Sequence, residues 1–313
     1  MIHTDFLEGA NSYPNLFWGE ISQRYDLNLK IPIPSELADG IFYFPLTLKS
    51  FGGLYMKTTE RFSNRVENYV KYRPTYPVGV LQHLHDAGIL SENSVVADIG
   101  SGTGISSKLF LENGNEVFGV EPNKEMREAA ETYLKNEKYF HSVNGTAEET
   151  NLKNNSVDIV LAGQAFHWFD AEKSKVEFKR ILREFAPSGK SNGNVVLMWN
   201  NRRTDSSDFL KSYEDLLSYF GTDYAKVNHR NIGEKNFDSF FGKGKWNSFS
   251  IETFFDLDFE GVKGRLFSSS YVPAEDHPDS AFMISVLKKI FTRYQENGTV
   301  RFEYDAIVYY GKL

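Results

Sequence analysis

Short apolar runs alternate with amphipathic segments through the middle of the chain. The runs predict strands near residues 94–99, 116–121, 140–145, 157–163 and 194–199. Segments with apolar residues at helical spacing predict helices near 77–87, 105–113, 123–136 and 171–186. Short apolar strands that alternate with helices are typical of a parallel sheet covered by helices on both faces.

The pattern changes after residue 200. A helix is predicted over Asp205–Phe220 and another over Ser280–Gln295. Apolar residues alternate with polar neighbours over 249–259 and again over 300–310, which predicts two late strands. Such strands suit an antiparallel edge. The sequence therefore predicts an α/β fold with a doubly wound, mostly parallel sheet and an antiparallel C-terminal edge strand.

The chain divides by composition into two parts. Residues 1–55 contain several prolines, scattered aromatic residues and little periodicity, and they are interpreted as an N-terminal extension that wraps the domain. A lid or an oligomer contact is the alternative. Residues 56–313 form the main domain. Within it, residues 204–247 are predicted to be an insertion or cap region, because 221–247 are rich in Gly, Asn and Lys.

A glycine-rich turn follows the first predicted strand. Residues 95–104 read Val-Val-Ala-Asp-Ile-Gly-Ser-Gly-Thr-Gly, and a helix follows them. A strand, a glycine turn and a helix N-terminus allow the backbone to approach a ligand closely. A dinucleotide-binding turn needs Gly-x-Gly-x-x-Gly, but Ile105 stands where that pattern requires its third glycine. The spacing therefore argues against a nicotinamide dinucleotide.

Several segments together resemble the class I methyltransferases that use S-adenosylmethionine. Asp98-Ile-Gly-Ser-Gly-Thr-Gly resembles their first motif, and the strand ending in Glu121-Pro122 resembles the one that carries their ribose-binding acid. The segments Gly145-Thr-Ala-Glu148 and Val157–Asp170 follow in the order of that family. One broad group of small-molecule methyltransferases within this class also carries segments similar to two in this chain. These are the entry segment Tyr72-Arg-Pro-Thr-Tyr-Pro77 and the loop His167-Trp-Phe169.

The resemblance implies a seven-stranded, Rossmann-like methyltransferase fold and a set of cofactor-binding residues. Relatives of this fold also begin near a segment like the one at Met56, so Met56 is a hypothetical native start. The residues expected to bind S-adenosylmethionine are Tyr72, Arg73, Asp98, Gly100, Ser101, Gly102, Glu121, Pro122, Met126, Ala147, Glu148, Gln164 and Ala165.

Some of these residues also have a purely structural interpretation. Asp98 could cap the following helix, and Met126 could belong to the core. Tyr72 and Arg73 could be a packed helix end, although an arginine there could also hold the methionine carboxylate of the cofactor with two parallel hydrogen bonds. Glu121 is the strongest single candidate, because a carboxylate accepts hydrogen bonds from two ribose hydroxyls.

The acceptor side of the site is less defined by sequence. His167 is the candidate catalytic base, with a cofactor contact or a packed histidine as alternatives. Asp170 is interpreted as the cap of the helix that begins at Ala171. The candidate acceptor-binding residues lie at predicted strand ends or in the entry segment: Tyr76, Trp168, Trp199, Arg202 and Tyr271.

Composition limits the partners. The net charge is −7 and the chain has no block of Lys and Arg, so no nucleic-acid partner is expected. No apolar run is as long as a membrane span, and the first Lys or Arg is Arg24, so neither a membrane nor a signal peptide is expected and a cytoplasmic location is predicted. The absence of cysteine excludes disulfides, thiolate nucleophiles and cysteine-ligated clusters. The histidine spacings predict no metal site. The oligomeric state stays open.

These observations predict transfer of a methyl group from S-adenosylmethionine to oxygen, nitrogen or carbon of a small-molecule acceptor, with release of S-adenosylhomocysteine. A non-catalytic protein that binds S-adenosylmethionine is one alternative. An NAD-dependent oxidoreductase and transfer to RNA or protein are further ones. The identity of the acceptor does not follow from the sequence, because fold does not determine function.

Overall fold

A single mixed sheet organises the part of the chain that this computed structural model describes, which is residues 71–184, 193–221 and 233–313. Its strands are β1 Val95–Ile99, β2 Glu116–Val120, β3 Phe140–Val143, β4 Ile159–Gly163, β5 Asn194–Arg202, β6 Trp246–Leu257 and β7 Val300–Gly311. Their order in this seven-stranded sheet is β3-β2-β1-β4-β5-β7-β6. Strands β1 to β5 are parallel, whereas β7 is antiparallel to both β5 and β6. The predicted fold class is confirmed.

Helices connect the strands and cover the sheet. They are α1 Gly79–Asp86, α2 Ile105–Glu112, α3 Lys124–Tyr133, α4 Ala171–Ile181, α5 Asp208–Phe220, α6 Glu234–Phe241, α7 Phe259–Phe267 and α8 Ser280–Tyr294, with a 3₁₀ turn at Phe166–Trp168. The sequence pattern predicted all of these helices except α6 and α7. Helix α7 contains Gly261 and Gly264, and glycine disfavours the helix interior.

Capping residues and a glycine define three of the helix ends. The Asn123 side chain accepts a hydrogen bond from Met126 N at 2.8 Å. The Asp170 side chain likewise accepts one from Lys173 N at 3.2 Å, so Asp170 caps α4 as expected. Gly114, which follows α2, has a φ of +92°. That left-handed conformation favours glycine and ends the helix.

Two apolar layers lie on opposite faces of the sheet. On one face, the strand residues pack with Phe178 of α4 and with Phe237 and Phe240 of α6. On the other face, they pack with Leu84 of α1 and Phe110 of α2. Helix α6 lies within residues 204–247, the segment predicted to be an insertion or cap, and its phenylalanines belong to the core.

The antiparallel side of the sheet has its own contacts. Phe209 and Tyr213 of α5 meet Phe302 of β7 edge to face, with ring centroids 5.1 and 5.0 Å apart. Arg203 follows β5 and pairs with Asp305 at 2.7 Å and with Glu252 of β6 at 2.6 Å. These contacts join three neighbouring strands and the helix that covers them.

Some expectations fall on other parts of the chain. The N-terminal extension over residues 1–55, the candidate start at Met56 and residues 222–232 lie outside the described residues. Among the helices that are described, none is long and apolar enough to span a membrane.

Candidate functional site

The glycine turn after β1 adopts a backbone that side chains disfavour. Gly100 has a φ of +68° and Gly102 a φ of +56°. A Cβ atom on Gly100 would lie 2.7 Å from Cβ of Ala165, which follows β4. The turn therefore packs directly against the segment after β4, and Gly100 and Gly102 are both partly exposed.

Asp98 anchors this turn from the end of β1. Its side chain is fully buried, and Oδ2 accepts hydrogen bonds from the hydroxyls of Ser106 and Ser107, each at 2.7 Å. These bonds tie the first turn of α2 to β1. Among the described residues Oδ1 has no hydrogen-bond partner. Burial raises the pKa of Asp98 to about 6, although both serine hydroxyls oppose that shift.

Glu121 lies beneath the turn, directly after β2. Its carboxylate is 9% exposed; Oε2 accepts from Gly102 N at 3.0 Å and Oε1 accepts from Asn123 N at 2.9 Å. Burial raises the pKa of Glu121, whereas the two amide bonds and the Arg127 guanidinium lower it. A carboxylate oxygen accepts more than one hydrogen bond, so both oxygens keep acceptor capacity for a ligand.

Other predicted cofactor residues surround this acid. Met126 is buried, and its Cε lies 3.5 Å from where a Cβ on Gly102 would stand. Ser101 is buried in the turn itself, and Pro122 is partly exposed. Arg127 donates to the backbone carbonyls of Glu121 and Pro122, each at 2.9 Å, and so fixes the segment after β2.

The loop after β3 connects this region to α4. Ala147 is buried in the same apolar cluster as Ala165. Glu148 Oε1 accepts a hydrogen bond from Asp170 N at 2.9 Å. The Glu148 carboxylate thus links the loop after β3 to the start of α4.

Gln164 joins the ends of β4 and β5. Its φ is +57°, which is unusual for a residue other than glycine and indicates local strain. Its backbone N–H donates to Met198 O at 2.8 Å, and its Nε2 donates to Asn200 O at 3.2 Å. The Asn200 side chain in turn donates to Pro74 O and Thr75 O of the entry segment. Strained residues of this kind cluster at functional sites.

The candidate base lies on the short 3₁₀ turn after β4. His167 and Trp168 are both partly exposed, and their rings lie 4.7 Å apart. Phe166, between Ala165 and His167, is buried in the aromatic core. The turn therefore anchors one ring and presents the next two at its surface.

The entry segment bridges the end of β4 and α7. Tyr76 is buried, and its Oη lies 3.1 Å from where a Cβ on Gly163 would stand, at the end of β4. The Tyr72 ring packs so closely on Gly264 that a Cβ there would lie 2.1 Å from it. Arg73 Nη2 donates to Ser268 O at 2.7 Å. The structure thus separates Tyr76, beside the end of β4, from Tyr72 and Arg73, beside α7.

The predicted acceptor residues of β5 lie on opposite faces of the sheet. Trp199 is buried against α6, with its ring centroid 6.2 Å from that of Phe237. The Arg202 guanidinium forms an ion pair with Glu214 and lies 5.0 Å from the ring centroid of Tyr213. Glu214 and Tyr213 both belong to α5. Tyr271 follows α7 and is partly exposed.

One buried cation in this region was missed by the sequence reasoning. Arg265 of α7 is 8% exposed, and it donates to Tyr304 Oη at 3.1 Å and to the hydroxyl oxygens of Ser268 and Ser269. The available signal was its helical spacing: it stands three residues after the buried Val262, on the apolar face of α7.

Two of the described histidines make contacts with neighbouring side chains. His83 stacks on Phe249 with ring centroids 3.8 Å apart, and His141 lies 2.9 Å from a carboxylate oxygen of Glu116. Within the described ranges, no group of three or more His, Asp or Glu side chains is placed to hold a metal ion.

Comparison with known proteins finds methyltransferases. Residues 97–196 match the family model described as a methyltransferase domain. An uncharacterized methyltransferase-like protein of Schizosaccharomyces pombe is 25% identical over 253 residues, which cover 79% of this chain and 93% of the relative. An uncharacterized methyltransferase of Mycobacterium tuberculosis is 36% identical over 141 residues, which cover 45% of this chain and 52% of the relative.

A solved structure shares the fold. It comes from Anaeromyxobacter dehalogenans, is named as a type II methyltransferase and aligns with a TM-score of 0.58 at 18% identity, covering 77% of this chain and 98% of that one. The residues that match the methyltransferase-domain model include the glycine turn, Glu121 and Gln164. The fold is therefore the Rossmann-like fold of methyltransferases.

Proposed function

We propose that the chain transfers a methyl group from S-adenosylmethionine to a small-molecule acceptor and releases S-adenosylhomocysteine. The observation that carries this proposal is the buried Glu121 carboxylate, held by the N–H groups of Gly102 and Asn123 at 3.0 and 2.9 Å, directly beneath a glycine turn. Ligands of open α/β sheets bind at the carboxyl ends of the strands, where this acid lies.

The residues present fit that cofactor. Glu121 would accept hydrogen bonds from the two ribose hydroxyls, and the turn at Gly100 and Gly102 would pass beneath the methionine part. Asp98 Oδ1 is buried and, among the described residues, has no partner, so it offers an acceptor near the turn. When bound, S-adenosylmethionine supplies the methyl group: the acceptor's lone pair bonds to the methyl carbon as the carbon–sulfur electron pair returns to sulfur.

The chain's own residues would position the acceptor. Methyl transfer requires an in-line approach and exclusion of water. Gln164, held by Asn200 O at 3.2 Å, fixes the loop that precedes His167 and Trp168. Where the acceptor carries a proton, His167 would accept it, because its ring stands at the carboxyl end of β4 and a neutral imidazole is basic enough near pH 7.

Transfer of radioactive methyl groups tests the catalytic part of this proposal. The protein is incubated with methyl-labelled S-adenosylmethionine and fractionated low-molecular-mass metabolites, and the label is followed by chromatography. We expect label in at least one new small-molecule product with the wild-type chain and not with Glu121→Ala. Binding of S-adenosylhomocysteine without any transfer, to small molecules or to RNA or protein added as acceptors, would instead indicate a non-catalytic binding protein.

A further inference from the structure

A buried positive charge without an acidic partner lies beyond the carboxyl end of β5. The Arg265 guanidinium donates through Nε to Tyr304 and through Nη1 to Ser268 and Ser269, all of them hydroxyl oxygens. Among the described residues, no Asp or Glu pairs with it, and Nη2 has no acceptor. The neighbouring Arg202 guanidinium, whose side chain is also largely buried, is paired with Glu214.

The neighbouring phenols do not neutralise this charge. Burial raises the pKa of Tyr213, so its hydroxyl stays protonated and uncharged at neutral pH. The cluster of Arg265, Tyr304, Ser268 and Ser269 therefore carries the single positive charge of the guanidinium, with no acidic partner for it among the described residues. Burying an uncompensated charge is unfavourable, and buried charges in proteins are normally paired.

The cluster lies on the acceptor side of the candidate site. The Ser268 hydroxyl oxygen accepts a hydrogen bond from Arg265 Nη1 at 3.1 Å. The Ser268 backbone carbonyl accepts one from Arg73 of the entry segment at 2.7 Å. Tyr304 pairs across the sheet with Arg202, the last residue of β5. Two residues earlier on β5, Asn200 donates to Thr75 O. Arg265 is thus connected through short contacts to both the entry segment and the end of β5.

We infer that Arg265, oriented by Tyr304, Ser268 and Ser269, binds a carboxylate group of the methyl acceptor. This inference rests on the proposed function. The Nη2 N–H groups would donate to the carboxylate, whose single negative charge balances the charge of the cluster. A phosphate monoester carries about −1.5 to −2 at neutral pH and would leave excess negative charge buried there. The cluster therefore favours an acidic acceptor of the carboxylate class.

Binding of simple carboxylates tests this inference. The full-length chain is loaded with S-adenosylhomocysteine and titrated with acetate, succinate and benzoate, each compared with its neutral amide. We expect saturable binding of at least one acid, no binding of its amide, and an affinity at least tenfold weaker in Arg265→Met. The affinity for S-adenosylhomocysteine should stay within about twofold, because Arg265 makes no contact with the glycine turn.

The outcomes separate this inference from the proposed function. If no acid binds to the loaded wild-type chain, or if Arg265→Met binds the acid equally well, the inference is wrong while the cofactor site stands. If the wild-type chain does not bind S-adenosylhomocysteine at all, the proposed function fails. Titration of the unloaded chain with the same carboxylates then measures whether Arg265 binds an acid independently of the cofactor.

Thermal unfolding distinguishes a binding role from a structural one. Arg265→Met removes an unpaired buried charge, so we expect its Tm to equal or exceed that of the wild type. The matched control is Arg203→Met, which breaks ion pairs with Asp305 and Glu252 and should lower the Tm. A larger fall in Tm for Arg265→Met than for the control would assign Arg265 a structural role and overturn the inference.

Tyr304→Phe is a second, milder variant, because it removes only the hydroxyl that accepts from Arg265 Nε. Unchanged carboxylate affinity in this variant would also contradict the inference.

Discussion

Gly100 shows how much of the site depends on a single missing side chain. A Cβ at this position would meet Ala165 Cβ at 2.7 Å, and the φ of +68° disfavours any L side chain. We predict that Gly100→Ala destabilises the fold by more than 1 kcal/mol, because the left-handed backbone alone costs a residue with a side chain about 1–2 kcal/mol. The same variant should show no measurable binding of S-adenosylhomocysteine. Chemical unfolding and calorimetric titration measure the two effects.

Gly114 provides a control that separates the effect of backbone strain from the effect of the clash with Ala165. Gly114 also has a positive φ, +92°, but a Cβ there would have no atom within 4 Å. Gly114→Ala should therefore cost about 1 kcal/mol in stability and leave cofactor binding unchanged. Equal losses of binding in both variants would show that the contact with Ala165 is not what shapes the site.

Asp98 should make stability depend on pH in an unusual direction. Burial raises its pKa to about 6 in the folded state, above its ordinary value of 3.8. Between these values the folded state binds more protons than the unfolded state, so the Asp98 contribution to stability falls as pH rises from about 4 to about 6. We predict that the stability of the wild type relative to Asp98→Asn falls across that window, with a slope approaching about 1.4 kcal/mol per pH unit.

Urea unfolding of both proteins at several pH values measures this difference. The amide oxygen that the Asp98→Asn substitution introduces can still accept from the Ser106 and Ser107 hydroxyls, so the fold should persist. A stability difference that stays constant from pH 4 to pH 6 would contradict a buried, ionisable Asp98.

Residues that act through local backbone were predictable from the sequence, whereas those that act through tertiary contacts were not. The glycine turn, Glu121 and the Asp170 cap depend on neighbours within a few positions, and the structure places each at its expected strand or helix end. Arg265 is different, because its significance depends on Tyr304, which lies 39 positions away on another strand. No local pattern shows that a buried arginine lacks an acidic partner.

At the scale of elements, α6 is the clearest difference from expectation. Residues 221–247 are rich enough in Gly, Asn and Lys to suggest an insertion, yet Phe237 is 2% exposed and stacks on Tyr309 with ring centroids 4.0 Å apart. Three buried phenylalanines within one short helix outweigh the Gly, Asn and Lys residues around it. Composition averaged over a long window concealed this short apolar face.

The packing of α6 leads to a stability prediction. Phe237→Ala removes a buried ring from the layer between α6 and the sheet, and large-to-small changes of this kind cost about 3–5 kcal/mol. Chemical denaturation should show that loss. The control is Val176→Ala on α4, where the side chain is 71% exposed and the expected change is within about 0.5 kcal/mol. A loss below about 1 kcal/mol for Phe237→Ala would contradict an integral role for α6.

At the scale of the whole molecule, the sequence predicted which strands exist and that the late ones form an antiparallel edge. Alternation of strands and helices limits the topology strongly, because parallel crossovers are right-handed and helices must cover both faces. The order β3-β2-β1-β4-β5-β7-β6 does not follow from periodicity. Periodicity identifies the buried face of a strand, whereas the choice of neighbour depends on contacts distant in sequence.

The measurement that tests the central claim most directly is calorimetric titration of the wild-type chain and Glu121→Gln with S-adenosylhomocysteine, with NAD as the control ligand. The variant keeps the side-chain shape but loses the charge that holds Gly102 N and Asn123 N and would hold the ribose. A hydrogen bond to a charged group contributes about 1.5–3 kcal/mol, so the dissociation constant should rise by about 10- to 150-fold.

The control variant in this titration is Glu116→Gln. Glu116 is a partly exposed carboxylate of β2 beside His141, so its replacement should leave binding of S-adenosylhomocysteine as in the wild type. Selective binding of S-adenosylhomocysteine over NAD, weakened only in Glu121→Gln, is the predicted result; equal affinity in all three proteins, or tighter binding of NAD, would contradict the account.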